Sequence, residues 1–148
     1  MKIKYPAVLV ATLVHFMLGG FWYSPLLFGN KFIQIIGWSP AKLEEIGNQS
    51  HAKEYLIAFL SSAVLVLILA HFVQYTKATS AIAGVQTAFW AWLGFIATTS
   101  IATVLFEQRP LGLYLINAGY QLVGCSLAGA ILAIWRTQEA SQTAAQPA

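Results

Sequence analysis

Four stretches of the chain, 6–28, 55–75, 81–106 and 111–135, contain no Lys, Arg, Asp or Glu, and each is at least 21 residues long. About 20 residues rising about 1.5 Å each cross the hydrocarbon of a bilayer. Segments such as Ala63-Val-Leu-Val-Leu-Ile-Leu-Ala70 are apolar all round, so they lack the polar face of a soluble helix. Lipid offers no partner for backbone N–H and C=O groups, and the period is wrong for barrel strands. An all-α, integral membrane four-helix transmembrane bundle follows, over residues 1–136.

The rest of the composition agrees. Charged residues make up 9% of the 148 residues, too few for a water-soluble surface. All five acidic residues are glutamates, which removes aspartate-based triads and paired carboxylates and points away from an enzyme. A lipid-modifying enzyme is the residual alternative, although no spacing joins a nucleophile, a base and Glu107. The single Cys125 permits no intramolecular disulfide. The scattered charge of +3, with no glycine-rich phosphate loop, argues against nucleic acid. No metal is expected, because neither H-x-x-x-H nor Cys-x-x-Cys spacing occurs, and no cofactor is implied.

The first segment follows Lys2 and Lys4 yet runs into Phe21-Trp-Tyr-Ser-Pro25 without a small-residue cleavage site, so it reads as a retained helix. The long connection 29–54 holds a short interfacial segment at 31–47. There Ser39 can cap a helix beginning at Pro40 and ending at Gly47. Connections 76–80 and 107–110 fit only tight hairpins. The tail, 137–148, is expected to be disordered.

Four crossings put Lys2, Lys4, Lys77 and Arg136 on one side and Lys31, Lys42, Lys53 and Arg109 on the other, a tie that leaves orientation open. Both termini are placed in the cytoplasm.

Polar residues inside the spans are costly in lipid and are the usual pointers to function. They include His15, His71, Gln86, Asn117 and Gln121, and helical rise allows His15, His71, Gln86 and Gln121 to share one path from the N-terminal face to mid-membrane. The competing reading is interhelical hydrogen bonding without transport. Small residues at helical spacing, Gly124 with Ala128 and Gly129 with Ala133, permit close approach of another backbone, inside the bundle or from a partner. Trp22 and Tyr23 read as interface anchors, and Pro25 frees a carbonyl near Phe21 and invites a kink.

The run Gly19-Gly-Phe-Trp-Tyr-Ser-Pro-Leu-Leu-Phe-Gly-Asn-Lys31, with Gly20, Trp22, Tyr23, Ser24, Pro25, Phe28 and Gly29 at its centre, resembles the signature of a bacterial family of small four-helix membrane proteins, domain of unknown function 1761. Leu105-Phe-Glu-Gln-Arg-Pro-Leu111, Asn117-Ala-Gly-Tyr-Gln121 and Gly129-Ala-Ile-Leu132 are similar to further family features. The resemblance implies a multi-pass protein of a bacterial cytoplasmic membrane and brings no activity. Asn117 stands where it implies an acidic residue, which speaks against a carboxylate ion site. Two functions stay open: passage of a small solute, ion or proton by an oligomer, and an accessory protein packing against partner helices in the bilayer.

Overall fold

The computed structural model describes residues 3–144, with side chains through Arg136, and every regular element among them is helical. Four helices are long and apolar enough to cross a membrane: α1 (Tyr5–Trp22), α4 (Ala52–Tyr75), α5 (Ala81–Leu105) and α6, which runs Leu111–Ala144. Two short helices, α2 (Gly29–Ile36) and α3 (Pro40–Gly47), lie between α1 and α4. Only 11% to 39% of each span is buried inside the bundle. The large apolar surface that remains outward belongs in lipid, as in a multi-pass membrane protein.

α6 packs against α1, α4 and α5. It meets α5 where Gly84 faces Gly129: a Cβ on Gly84 would strike the Gly129 carbonyl oxygen, and one on Gly129 would lie 2.9 Å from the Ala88 Cβ. Glycine at both positions is what lets the two backbones approach. Around this crossing sits a core of small residues, among them Ala7, Ala11, Ala70, Ala88, Ala128 and Ala133. The small-residue face of α6 is thus consumed within the bundle.

α1 ends at Trp22, six residues before the expected 28, and the cause is Pro25. Proline has no N–H for the Phe21 carbonyl, so the Ser24 backbone N–H (3.2 Å) and hydroxyl (2.7 Å) take that carbonyl instead and stop the helix where a kink was expected. The chain then turns through 23–28, and the N–H groups of Phe28 and Gly29 bond the carbonyls of Trp22 (3.1 Å) and Ser24 (2.9 Å). A Cβ on Gly29 would run into the Tyr23 and Ser24 backbone.

The expected interfacial segment 31–47 is two helices, divided by Gly37 in the left-handed region at φ 77°. α3 starts as its sequence requires: the Ser39 hydroxyl accepts the Lys42 N–H at 3.3 Å and Pro40 occupies the first helical position. α5 is irregular, with a wide π-helical stretch at Leu93–Ala97. The hydroxyls of Thr98 and Thr99 donate back to the Gly94 and Phe95 carbonyls, at 2.8 and 2.6 Å. At the other end of the chain, α6 carries helical backbone through the first part of the tail expected to be disordered, as far as Ala144; residues 145–148, like Lys2, lie outside the described residues.

Candidate functional site

His15 is the largest side chain enclosed in the bundle, 2% exposed. α1 brings it inward because Ala7, Val8, Ala11, Thr12 and His15 form one buried face at spacings of three and four. Its Nε2 lies 3.3 Å from the Gln121 Oε1 and its Nδ1 lies 3.1 Å from the Ser62 Oγ. The Gln121 Oε1 is an acceptor, so Nε2 donates; in the neutral ring Nδ1 then accepts the Ser62 hydroxyl proton. Tyr120 closes the cluster, donating to the His15 carbonyl at 3.1 Å with its oxygen 3.2 Å from Nδ1. Room for the imidazole comes from Gly124, where a Cβ would sit 2.6 Å from the His15 Cδ2.

A second layer lies towards the turn at 107–110. The Tyr23 hydroxyl donates to the Asn117 Oδ1 at 2.7 Å, and the Tyr23 ring stands 5.7 Å from Tyr120 and 5.2 Å from Phe32. Trp22 donates its indole N–H to the Ile116 carbonyl at 3.0 Å, and Trp92 reaches the Ala118 carbonyl from α5 at 2.9 Å. Trp22, the last residue of α1, and Tyr23 therefore serve as polar cross-links to α6. An indole or phenol inside a bilayer needs a partner for its proton, and α6 supplies one each time. Phe28 packs on Trp22 at 4.7 Å with the rings tilted, so Trp22, Tyr23, Ser24 and Phe28 join Pro25 and Gly29 in having structural roles within the 20–29 run. Gly20 has nothing within 4 Å of a would-be Cβ.

Of the expected polar path, His15, Asn117 and Gln121 come together, while His71 and Gln86 lie elsewhere. His71 is nine residues beyond Ser62, which at about 100° per residue is the opposite face of α4. It is exposed, and its Nδ1 lies 2.8 Å from the carbonyl of Leu67 on its own helix. Gln86 falls between the buried Gly84 and Ala88 in sequence and so faces outward on α5. It borders a separate groove with Thr87 and Trp90. Ser62 and Tyr120 join the site in their place. Ser62 is a hydroxyl within an apolar span, the one sequence signal that could have found it, and Tyr120 lies between Asn117 and Gln121, where an aromatic ring carries no such signal.

Two cavities adjoin the cluster. One of about 430 Å³ extends from Arg109 past Asn117 to Tyr23, Tyr120 and Gln121. The other, about 870 Å³, runs between α1 and α4 and is lined by His15, Gly20, Tyr55, Ser62, Tyr120 and Gln121. Both volumes suit a small ligand. Towards the opposite face the polar groups stop, for below His15 the buried side chains are Ala11, Val8 and Ala7 of α1, with Val66, Ala70 and Val73 of α4. Thr12, one turn below His15, is buried with a hydroxyl that makes no hydrogen bond. No group of three metal-ligating side chains occurs among the described residues.

The sequence profile of a family described as "Protein of unknown function (DUF1761)" matches residues 6–133. No curated protein and no solved structure matches the chain.

Proposed function

We propose that this chain, which belongs to the DUF1761 family of proteins of unknown function, is a carrier that takes a small polar solute into a one-sided membrane cavity ending on His15. The observation behind the proposal is the polar seam itself. Arg109, Asn117, Tyr23, Tyr120 and Gln121 line the 430 Å³ cavity inward from the 107–110 turn, and Tyr120 and Gln121 in turn bond His15. Gln121 is ten residues beyond the start of α6 at Leu111, so a solute beside it has travelled about 15 Å of a roughly 30 Å hydrocarbon layer. The dry plug of small residues below His15 holds the other side closed. Passage therefore needs a moving part, and α4 suits that role because open grooves flank it, the 870 Å³ cavity towards α1 and an apolar one of about 730 Å³ towards α5. The 870 Å³ cavity opens sideways, which an oligomer would close. The setting we assign is a bacterial cytoplasmic membrane with both termini inside.

Single cysteines at Asn117, Gln121 and Ser62 in a Cys125→Ser background, probed in intact membranes with a water-soluble thiol reagent, test this reading. Asn117 and Gln121 are expected to react from the face carrying the 107–110 turn, while lipid-facing Val64→Cys stays silent. If neither reacts while a loop cysteine at Asn48 does, the seam is dry packing and the carrier reading fails. That outcome would favour an accessory role, for which the apolar groove along Ile57, Val64, Ile68 and Phe95 offers a seat for a partner helix.

A further inference from the structure

The cavity of about 430 Å³ is lined by hydrogen-bond donors that the protein leaves unused. Gln121 gives its Oε1 to His15 and Asn117 gives its Oδ1 to Tyr23, so each amide keeps an NH2 group without a partner. The two residues are one turn apart and share a face of α6. At the mouth, the Arg109 Nε donates to the Glu107 Oε2 at 2.8 Å, which leaves the two terminal amino groups of the guanidinium free. Three of the lining hydroxyls have their protons committed, that of Tyr23 to Asn117, that of Tyr114 to the Ala97 carbonyl at 3.1 Å and that of Thr103 to the Ser100 carbonyl at 2.8 Å, while the Ser100 hydroxyl adds another group able to donate. No carboxylate lines the cavity; Glu107 is exposed beside it.

The terminal amino groups of a guanidinium whose charge is shared with the exposed Glu107, together with two outlying amide donors, complement an acceptor-rich anion. We propose that this cavity binds an oxyanion, a carboxylate or phosphate group, carried by a small solute or by a lipid headgroup. Its guanidinium end holds the charged oxygens, Asn117 and Gln121 donate to the oxygens that reach deeper, and Ile96 and Leu113 cover a short apolar part. This names the ligand class for the carrier reading and rests on it.

The sidedness of the amides is imposed from behind. His15 Nε2–H holds the Gln121 oxygen and Tyr23 O–H holds that of Asn117, so the buried imidazole and Tyr23 keep both oxygens engaged and leave to a ligand the NH2 groups of two residues that line the cavity. Gln121→Glu would replace its NH2 donor with a carboxylate oxygen and make that end repel the same ligand.

The test uses the full chain in phosphatidylcholine nanodiscs, with thermal unfolding followed by tryptophan emission and butyrate, butyl phosphate, butylammonium and butanol compared at one ionic strength. Butyrate or butyl phosphate should raise the midpoint, and butylammonium and butanol should not. Arg109→Gln, on an exposed turn, should weaken the apparent affinity about tenfold or more. Asn117→Leu should weaken it as well, and Gln121→Glu should abolish it. If the ligand is a lipid headgroup, phosphatidylglycerol nanodiscs raise the wild-type midpoint with no added anion, and Arg109→Gln loses that gain. The proposal is overturned if cation and anion act alike, or if Arg109→Gln and Asn117→Leu leave the anion effect intact. Reactive cysteines at 117 and 121 with no anion effect would mean that the cavity is real and the ligand class wrong; unreactive cysteines would remove both.

Discussion

Gly124→Ala tests whether the imidazole of His15 is held where the structure puts it. The added methyl would lie 2.6 Å from the His15 Cδ2 and 2.9 Å from its Nε2. Ordinary carbon contacts begin near 3.5 Å, so about 1 Å must be found by moving the ring or parting α1 from α6. The ring has little freedom, being held at 3.1 Å by Ser62, 3.3 Å by Gln121 and 3.2 Å by Tyr120. A 1 Å displacement takes at least one of these contacts beyond hydrogen-bonding range. Overpacking costs about 1–3 kcal/mol, and each interhelical hydrogen bond lost in a membrane adds about 0.6 kcal/mol. The sum is about 1.5–3.5 kcal/mol. Reversible unfolding in mixed maltoside and dodecyl sulfate micelles, followed by tryptophan fluorescence, would measure it. The decisive comparison is a double-mutant cycle with His15→Ala, which removes the clash: in that background Gly124→Ala should cost less than about 0.5 kcal/mol. If the two changes add independently, the ring does not sit against Gly124 and the geometry of the whole cluster is wrong.

Two further outcomes follow from the packing. Gly84→Ala and Gly129→Ala each drive a methyl into the facing backbone and should cost about 3 kcal/mol or prevent folding in the same assay, whereas Gly20→Ala should be neutral or stabilise by up to about 1 kcal/mol. Thr12→Val removes a buried hydroxyl that has no partner and should raise stability by about 1 kcal/mol; a loss of similar size would mean that the hydroxyl is satisfied after all.

The spans were legible because they depend on a local property: twenty uncharged residues need lipid whatever surrounds them. The start of α3 was equally local, since Ser39 and Pro40 specify a helix N-terminus by their own chemistry. Rotation about each helix axis was not legible. A segment apolar all round, such as 63–70, carries no periodic signal to say which side faces inward, so His71 looked as good a candidate as His15. The separation of the two follows from their helical phase relative to the small residues, because the buried stripe of α1 runs Ala7, Ala11, His15 and that of α4 runs Ser62, Val66, Leu69, Val73. The cross-links of Trp22 and Tyr23 were hidden for a related reason. A ring near the end of a span fits an interfacial belt and an inward cross-link equally well, and the choice rests on a carbonyl of another helix that sequence does not reveal.

The same small residues that close one half of the bundle create the cavity in the other. Where Gly84 meets Gly129 and Ala7, Ala11 and Ala128 fill the core, backbones come close and leave no space for water. Nearer the 107–110 turn the contacts between helices are made by Trp22, Tyr23, Trp92 and Tyr120, whose length holds the helices apart and whose polar atoms bond α6, each other's helices or His15. Large polar-tipped rings on one side and alanine on the other produce a wedge of space that narrows onto His15. The sidedness of the polar cluster is therefore a packing consequence. Opening the closed half means separating helices whose contacts are short, apolar and, around Thr12, imperfectly satisfied. The indole and phenol hydrogen bonds of Trp22, Tyr23 and Trp92 join the end of α1 and α5 to α6 and none involves α4, so motion of α4 should leave those aromatic cross-links in place.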